Sequence, residues 1–216
     1  SDARFFLEDD LSFLDAAGEF FVEEASRTLY YKPMGEEHPD RLSITRPVVN
    51  RLIELKGASV EACVSDIRLE GLALEETDCL PHQPMWAYSG HRDGALVWLT
   101  NASDIEIRNC HLKNSGRHGV MMVGHNTANL VNGCWIEHMG LNGVSFSNRS
   151  LAADRESPTE KRCEGNRVHN TRISHVGEIH CYAECVTVFH ASYNEVSHCE
   201  LDNSVRYGIT VRGNTG

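Results

Sequence analysis

The sequence predicts an all-β solenoid, a right-handed parallel β-helix with a small β-rich segment at its N-terminal end. Three observations carry that prediction. The first is an internal repeat. Ile107, two turn residues, Cys110-x-Leu112, seven positions and Gly119-Val120-x-Met122 recur 24 residues later as Val131, two turn residues, Cys134-x-Ile136, seven positions and Gly143-Val144-x-Phe146. Periods of 20–50 residues mark solenoids, propellers or arrays. Each unit holds three short period-2 apolar stretches between Gly/Asn turns, which is one coil of a stack whose neighbours bury each other's apolar faces.

The second observation is a column of turn residues. Gly71, Asn109, Gly133, Asn170 and His198 each stand just before the third strand of a coil. A two-residue corner needs one left-handed residue, and Gly and Asn adopt that conformation at least cost, with His also enriched there. The third is an amide register. Asn129, Asn166 and Asn194 precede Val131, Val168 and Val196 by two positions, and amides stacked at one register can bond along the solenoid axis.

Taken in order, residues 1–45 differ from the rest. Phe20-Phe21-Val22 and Leu29-Tyr30-Tyr31 are strand-like aromatic runs about a polar turn, so this part reads as a β-hairpin or a piece of a β-sandwich-like subdomain. Residues 46–216 read as the solenoid, with about five coils from Leu52 onward and the handedness set by the usual crossover rule. Insertions interrupt the period at Thr77–Arg92, Ser147–Cys163 and Gly177–Cys185. Such insertions gather on one face of a repeat protein, often the binding face. The repeat phase stops mid-coil after Thr210-Val211-Arg212, which predicts a piece of a longer protein.

Composition narrows the function. The 216 residues carry a net charge of −11, which disfavours nucleic acid and anionic membranes as partners. No run of about 18 apolar residues exists, so no helical membrane insertion is expected. The chain opens Ser1-Asp2-Ala3, without a recognisable targeting segment. Among eight cysteines, Cys110, Cys134 and Cys199 share an inward repeat position, where Cys behaves as a small hydrophobe. The lone Cys181-x-x-x-Cys185 pair is too little for a zinc site. No His-x-His or HExxH spacing occurs, and no metal-ligand set is predicted.

Several segments resemble a known group of proteins. Gly18-Glu19-Phe20 with Leu29-Tyr30-Tyr31 is similar to a "GEWY…LYY" segment. Leu52–Gly57, followed by Val64-x-x-Ile67-x-Leu69-x-Gly71-Leu72, resembles the first coil after it, and Asn203–Gly213 resembles an "RxGI" coil ending. The resemblance is to right-handed parallel β-helix carbohydrate enzymes of the pectate-lyase-like superfamily, glycoside hydrolase family 141 and its relatives in particular. It implies a poly- or oligosaccharide substrate and favours a periplasmic or secreted location. It also leaves calcium, held by loop acids as polysaccharide lyases of this fold often hold it, as a cofactor to test for. It assigns no catalytic residue by motif.

The repeat register supplies candidates instead. Aligning Gly119-Val120 with Gly94-Ala95, Gly143-Val144, Cys185-Val186 and Gly208-Ile209 places Asp93, His118, Asn142, Glu184 and Tyr207 in one column. Arg92, Arg117 and Arg206 stand beside it, and Met121, Ser145, Thr187 and Thr210 point outward. An extended polar face of this kind offers hydroxyl partners and stacking surfaces to a sugar polymer. Acid–base work falls to Glu184, Glu178, Asp93 and His180, since glycoside hydrolysis uses two carboxyl groups. His118, Asn142, Tyr207, Arg117 and Arg206 are the expected sugar contacts. Glu184 and Glu178 share the third insertion, which is expected to bring them together and to exclude water from Glu184. The leading expectation is a glycoside hydrolase. A polysaccharide lyase, with an arginine or calcium neutralising a uronate, is one alternative, and a non-catalytic glycan-binding or structural β-helix is another.

Overall fold

The computed structural model describes residues 10–79, 94–148 and 163–213. They form two compact units, residues 1–45 and residues 46–216. In the first, Phe20–Glu23 pairs antiparallel with Thr28–Tyr31, as the aromatic runs predict.

The second unit is a stack of coils, each contributing one strand to each of three parallel sheets. The first sheet runs through Arg51–Lys56, Ala95–Ser103, His118–Thr127, Val144–Ser147, Glu184–Phe189 and Tyr207–Arg212. The second runs through Arg68–Glu70, Glu106–Arg108, Leu130–Asn132, Arg167–His169 and Glu195–Ser197. The third runs through Ala73–Thr77, His111–Ser115, Trp135–Met139, Arg172–Val176 and Glu200–Leu201. Inward residues of all three sheets, among them Ile107, Leu112, Val120, Met122, Val131, Ile136, Val144, Phe146 and Ile173, merge into one core. Cys110 and Cys134 lie in that core as expected, and Cys199 packs against it. Burial pushes the Cys134 thiol up to about 11 and the Cys163 thiol up to about 12.

The corners follow the turn chemistry. Gly71, Asn109, Gly133, Asn170 and His198 all have positive φ between the second and third sheets. A second such column, Glu76, Asn114, His138, His175 and Asn203, turns the chain out of the third sheet. The asparagine ladder also forms. Asn129 Nδ2 donates to Asn166 Oδ1 at 2.9 Å, and Asn166 Nδ2 donates to Asn194 Oδ1 at 3.0 Å. The same carbonyls accept the backbone N–H groups of Asn129 and Asn166.

One register differs from expectation. Val120 lies beside Val97, Met121 beside Trp98 and His118 beside Ala95. The Gly94-Ala95 alignment is therefore two residues out, and Ala95 takes the column position expected for Asp93. A slip of two residues preserves the alternation of faces, so the apolar pattern alone cannot detect it. Glycine misled the alignment because its reasons differ along the column. At Gly119 and Gly143 a Cβ would meet core atoms, Ile136 Cγ2 at 2.7 Å and Ile173 Cγ2 at 2.3 Å. Gly94 instead has φ +122 and packs against the Arg117 side chain.

Candidate active site

Two groups of polar side chains are built at the turn from the third sheet into the first. One lies on the first sheet, along the expected column. His118 Nδ1 is 3.2 Å from Ser145 Oγ, and Asn142 Nδ2 donates to the same oxygen at 3.0 Å. Asn142 Oδ1 accepts the backbone N–H of Glu184 at 2.9 Å. The Glu184 carboxylate accepts from Thr187 Oγ1 at 3.0 Å. It is also ion-paired with Arg212 at 3.1 Å and Arg206 at 3.5 Å. His118, Asn142, Ser145 and Glu184 are each 0 % exposed. Arg206 carries on outward, its guanidinium 4.8 Å from the Tyr182 ring and 4.9 Å from that of Tyr207.

This arrangement corrects the expected open groove. His118, Asn142 and Glu184 of the column are buried and linked through Ser145 and the Glu184 backbone. The outward residues Met121, Ser145, Thr187 and Thr210 are buried as well. Glu184 is enclosed by two guanidinium groups and a hydroxyl, the paired and hydrogen-bonded setting that a buried carboxyl group requires. Asp93 and Arg92 lie outside the described residues.

The other group lines a concavity of about 340 Å3 at the corner. Its walls come from three coils and from the third insertion. Thr77, Asp78 and Cys79 supply one side, Asn114, Ser115 and Gly116 the middle, and His138, Gly140, Glu178 and Ile179 the other side. Glycine at two corner positions lets the coils and the insertion pack closely beside the hollow. A Cβ on Gly116 would meet the Cys79 backbone N at 2.5 Å, and one on Gly140 would meet Gly116 O at 2.3 Å and Ile179 Cδ1 at 2.8 Å. The insertion is tied down here, with the N–H groups of Ile179 and His180 donating to Gly140 O at 3.2 and 2.9 Å. Glu178 Oε1 stands 2.9 Å from His138 Nδ1, with both side chains partly exposed. The His138 ring stacks on that of His175 at 4.8 Å. A pocket of this volume falls in the range that holds a small ligand, roughly 300–1,000 Å3.

The remaining candidates divide between the two groups. Arg117 is buried and its Nη1 donates to His180 Nε2, so His180 serves as an acceptor there. Glu178 is paired with His138 and Glu184 with Thr187, Arg206 and Arg212, so the two carboxyl groups share no partner among the described residues. Tyr207 is exposed at the rim beside Arg206. Among the described residues no set of three or more His, Cys, Asp or Glu side chains is arranged to hold a metal ion.

Sequence reasoning passed over Asp78 and Arg212. Asp78 was legible as the acid that opens the first insertion. Arg212 was not, because its pairing with Glu184 spans 28 residues and depends on the coil register.

A parallel three-sheeted solenoid with a polar corner concavity is the class that fold and site define. The right-handed beta helix region family matches residues 90–216, more than half of the sequence, and the chain belongs to that family. A solved structure described as a glycoside hydrolase superposes with a TM-score of 0.73 at 19% sequence identity. The match covers 87% of this chain and 38% of that one, so the chain spans well under half the length of the relative. No curated protein matches the chain.

Proposed function

We propose that this protein is a carbohydrate-active enzyme of the glycoside hydrolase type, with a sugar residue bound in the corner concavity and Glu178 as a reacting carboxyl group. The observation that carries this reading is the His138–Glu178 pair on the wall of an open hollow. A carboxylate oriented by an imidazole, and reachable from solvent, is equipped for proton transfer to or from a bound substrate. The neighbouring amide of Asn114 and the backbone at Gly116 and Gly140 can serve sugar hydroxyls. The solenoid match to a glycoside hydrolase supports the reading at the level of fold. The buried Glu184 network is assigned a supporting role, holding the strand starts and Arg206 in place.

The test is a screen of the full-length protein against plant, algal and host glycans, following new reducing ends and ultraviolet absorbance together. Reducing ends without absorbance are expected, because hydrolysis leaves no unsaturated sugar. Glu178→Gln should lower turnover by roughly 100-fold or more, the usual scale for a lost acid–base group, at an unchanged melting midpoint. Wild-type turnover in that variant would remove Glu178 from the chemistry, and an absorbing product would turn the assignment to a lyase.

A further inference from the structure

Resting on that reading, we propose that Asp78 is the second catalytic carboxyl group and that the reaction inverts the anomeric centre. The coil register carries this inference. Thr77 pairs with Ser115, and Ser115 pairs with Met139, so the coil that bears Asp78 and the coil that bears His138 are two strand spacings apart. The Glu178 backbone N–H donates to Met139 O at 3.1 Å. Its carboxylate is drawn back to the level of His138 by their 2.9 Å contact. The Asp78 coil and the His138 level are two spacings of ~4.8 Å apart, ~9.6 Å; the Glu178 backbone follows the strand that pairs beyond Met139, one spacing further, and its side chain reaches back across that coil.

Inverting glycosidases hold their carboxyl groups ~6.5–9.5 Å apart to leave room for a water, whereas retaining enzymes need ~5–5.5 Å. Leaning of the two side chains across one intervening coil reaches the first range and falls short of the second. That intervening coil presents Asn114, Ser115 and Gly116, the middle of the hollow. Glycine at 116 and 140 lets the successive coils pack backbone against backbone there, with Gly116 against Asp78 and Gly140 against Gly116.

The imidazole contact separates the roles. Glu178 Oε1 lies 2.9 Å from His138 Nδ1, and an ionised carboxylate there accepts from the imidazole, which assigns Glu178 the base. Asp78 then supplies the proton. As the bond from C1 to the glycosidic oxygen breaks, the Asp78 carboxylic acid protonates that oxygen and the alcohol leaves. Water attacks C1 from the opposite face and gives its proton to Glu178. The products are the free alcohol and a hemiacetal of inverted configuration. Exchange with solvent then deprotonates Glu178 and reprotonates Asp78.

The experiment uses the full-length protein with 2,4-dinitrophenyl and 4-methoxyphenyl glycosides of the common pentoses and hexoses in both anomers. Proton NMR of the first product should show the anomer opposite to the substrate. Asp78→Asn should lose roughly 100-fold on the 4-methoxyphenyl glycoside and far less on the dinitrophenyl one, whose leaving group needs no proton. Glu178→Gln should lose activity on both and, with added azide, yield a glycosyl azide of inverted configuration. Asp78→Ser, checked by its melting midpoint, separates lost chemistry from lost folding. A retained anomer, or wild-type turnover of Asp78→Asn alongside an inactive Glu178→Gln, overturns this inference while leaving the site in place. Wild-type turnover of both variants overturns the site itself.

Discussion

Glu184 and Glu178 lie within one short stretch of chain and end in opposite circumstances. Glu184 starts a strand of the first sheet, where its oxygens are taken by Thr187, Arg206 and Arg212 and its surface is fully covered. Glu178 sits on the insertion that precedes the strand, with a half-exposed side chain and His138 as its ion-pair partner. The two regions draw on the same residue types, acids, histidines and asparagines. What separates them is closure. On the sheet Asn142, Ser145 and the Glu184 carboxylate have protein partners, which fixes the strand starts. At the corner an open hollow lies beside the insertion, and Asp78, Asn114, His138 and Glu178 are among its lining. A buried, mutually satisfied network rigidifies, and a loop set on that rigid frame is where chemistry is carried.

The comparison breaks or sharpens most decisively on the two glutamates themselves. Glu184→Gln should cost about 3 kcal/mol, because it strands two guanidinium groups that retain some solvent contact. For a chain of this size that is a fall of roughly 6–12 °C in melting midpoint. Turnover per folded molecule should be kept. Glu178→Gln should do the reverse, sparing the midpoint and abolishing turnover. Loss of turnover in Glu184→Gln below its own melting transition would dissolve the distinction between frame and site.

A second closed network tests whether closure is what stabilises. Asn166→Ala removes the acceptor of two Asn129 donors inside the stack. The orphaned groups should cost about 2–3 kcal/mol in urea unfolding. Asn194→Ala, at the less buried end of the ladder, should cost less. Equal losses would mean that burial of the amides is not the source of the effect.

Corner residues isolate the backbone from such networks. Asn109 has φ 49° and is exposed. Asn109→Gly should be tolerated, whereas Asn109→Val should cost about 1–2 kcal/mol, since a β-branched residue resists the left-handed region. Identical melting midpoints for the two variants would contradict the backbone explanation.

The smallest effect belongs to an open pair on the second sheet. Arg108 and Arg68, at 2.8 and 2.7 Å, hold the Glu106 carboxyl down to about 2. A carboxyl depressed in the folded state contributes stability above its unfolded value of 4.5, and that contribution fades as pH falls towards 2. Glu106→Gln should therefore track the wild type near pH 2 and lie slightly below it at neutral pH. Because the group is solvent-exposed, added salt should shrink the gap. A gap that widens on acidification would reverse the assigned sign.

The sequence by itself determined the coil. Period-2 apolar runs, the Asn109/Gly133/Asn170 corner, the Asn129/Asn166/Asn194 register and the inward cysteines are local or strictly periodic signals, and each repeats often enough to fix the others. It also marked the third insertion as the place to look for acids, where Glu178 and Glu184 both stand. Tertiary structure decided which of those acids is open. The two-residue slip at Ala95 leaves every face unchanged, so no alternation could reveal that Ala95 stands beside His118. Arg212 meets Glu184 only because two coils stack in that register, and Asp78 shares a hollow with Glu178 only because an insertion folds back over Gly140. Strand periodicity is written by short-range sterics and burial. The meeting of particular polar side chains is written by contacts between coils, and those depend on where each strand begins and on how closely the glycines let the coils approach.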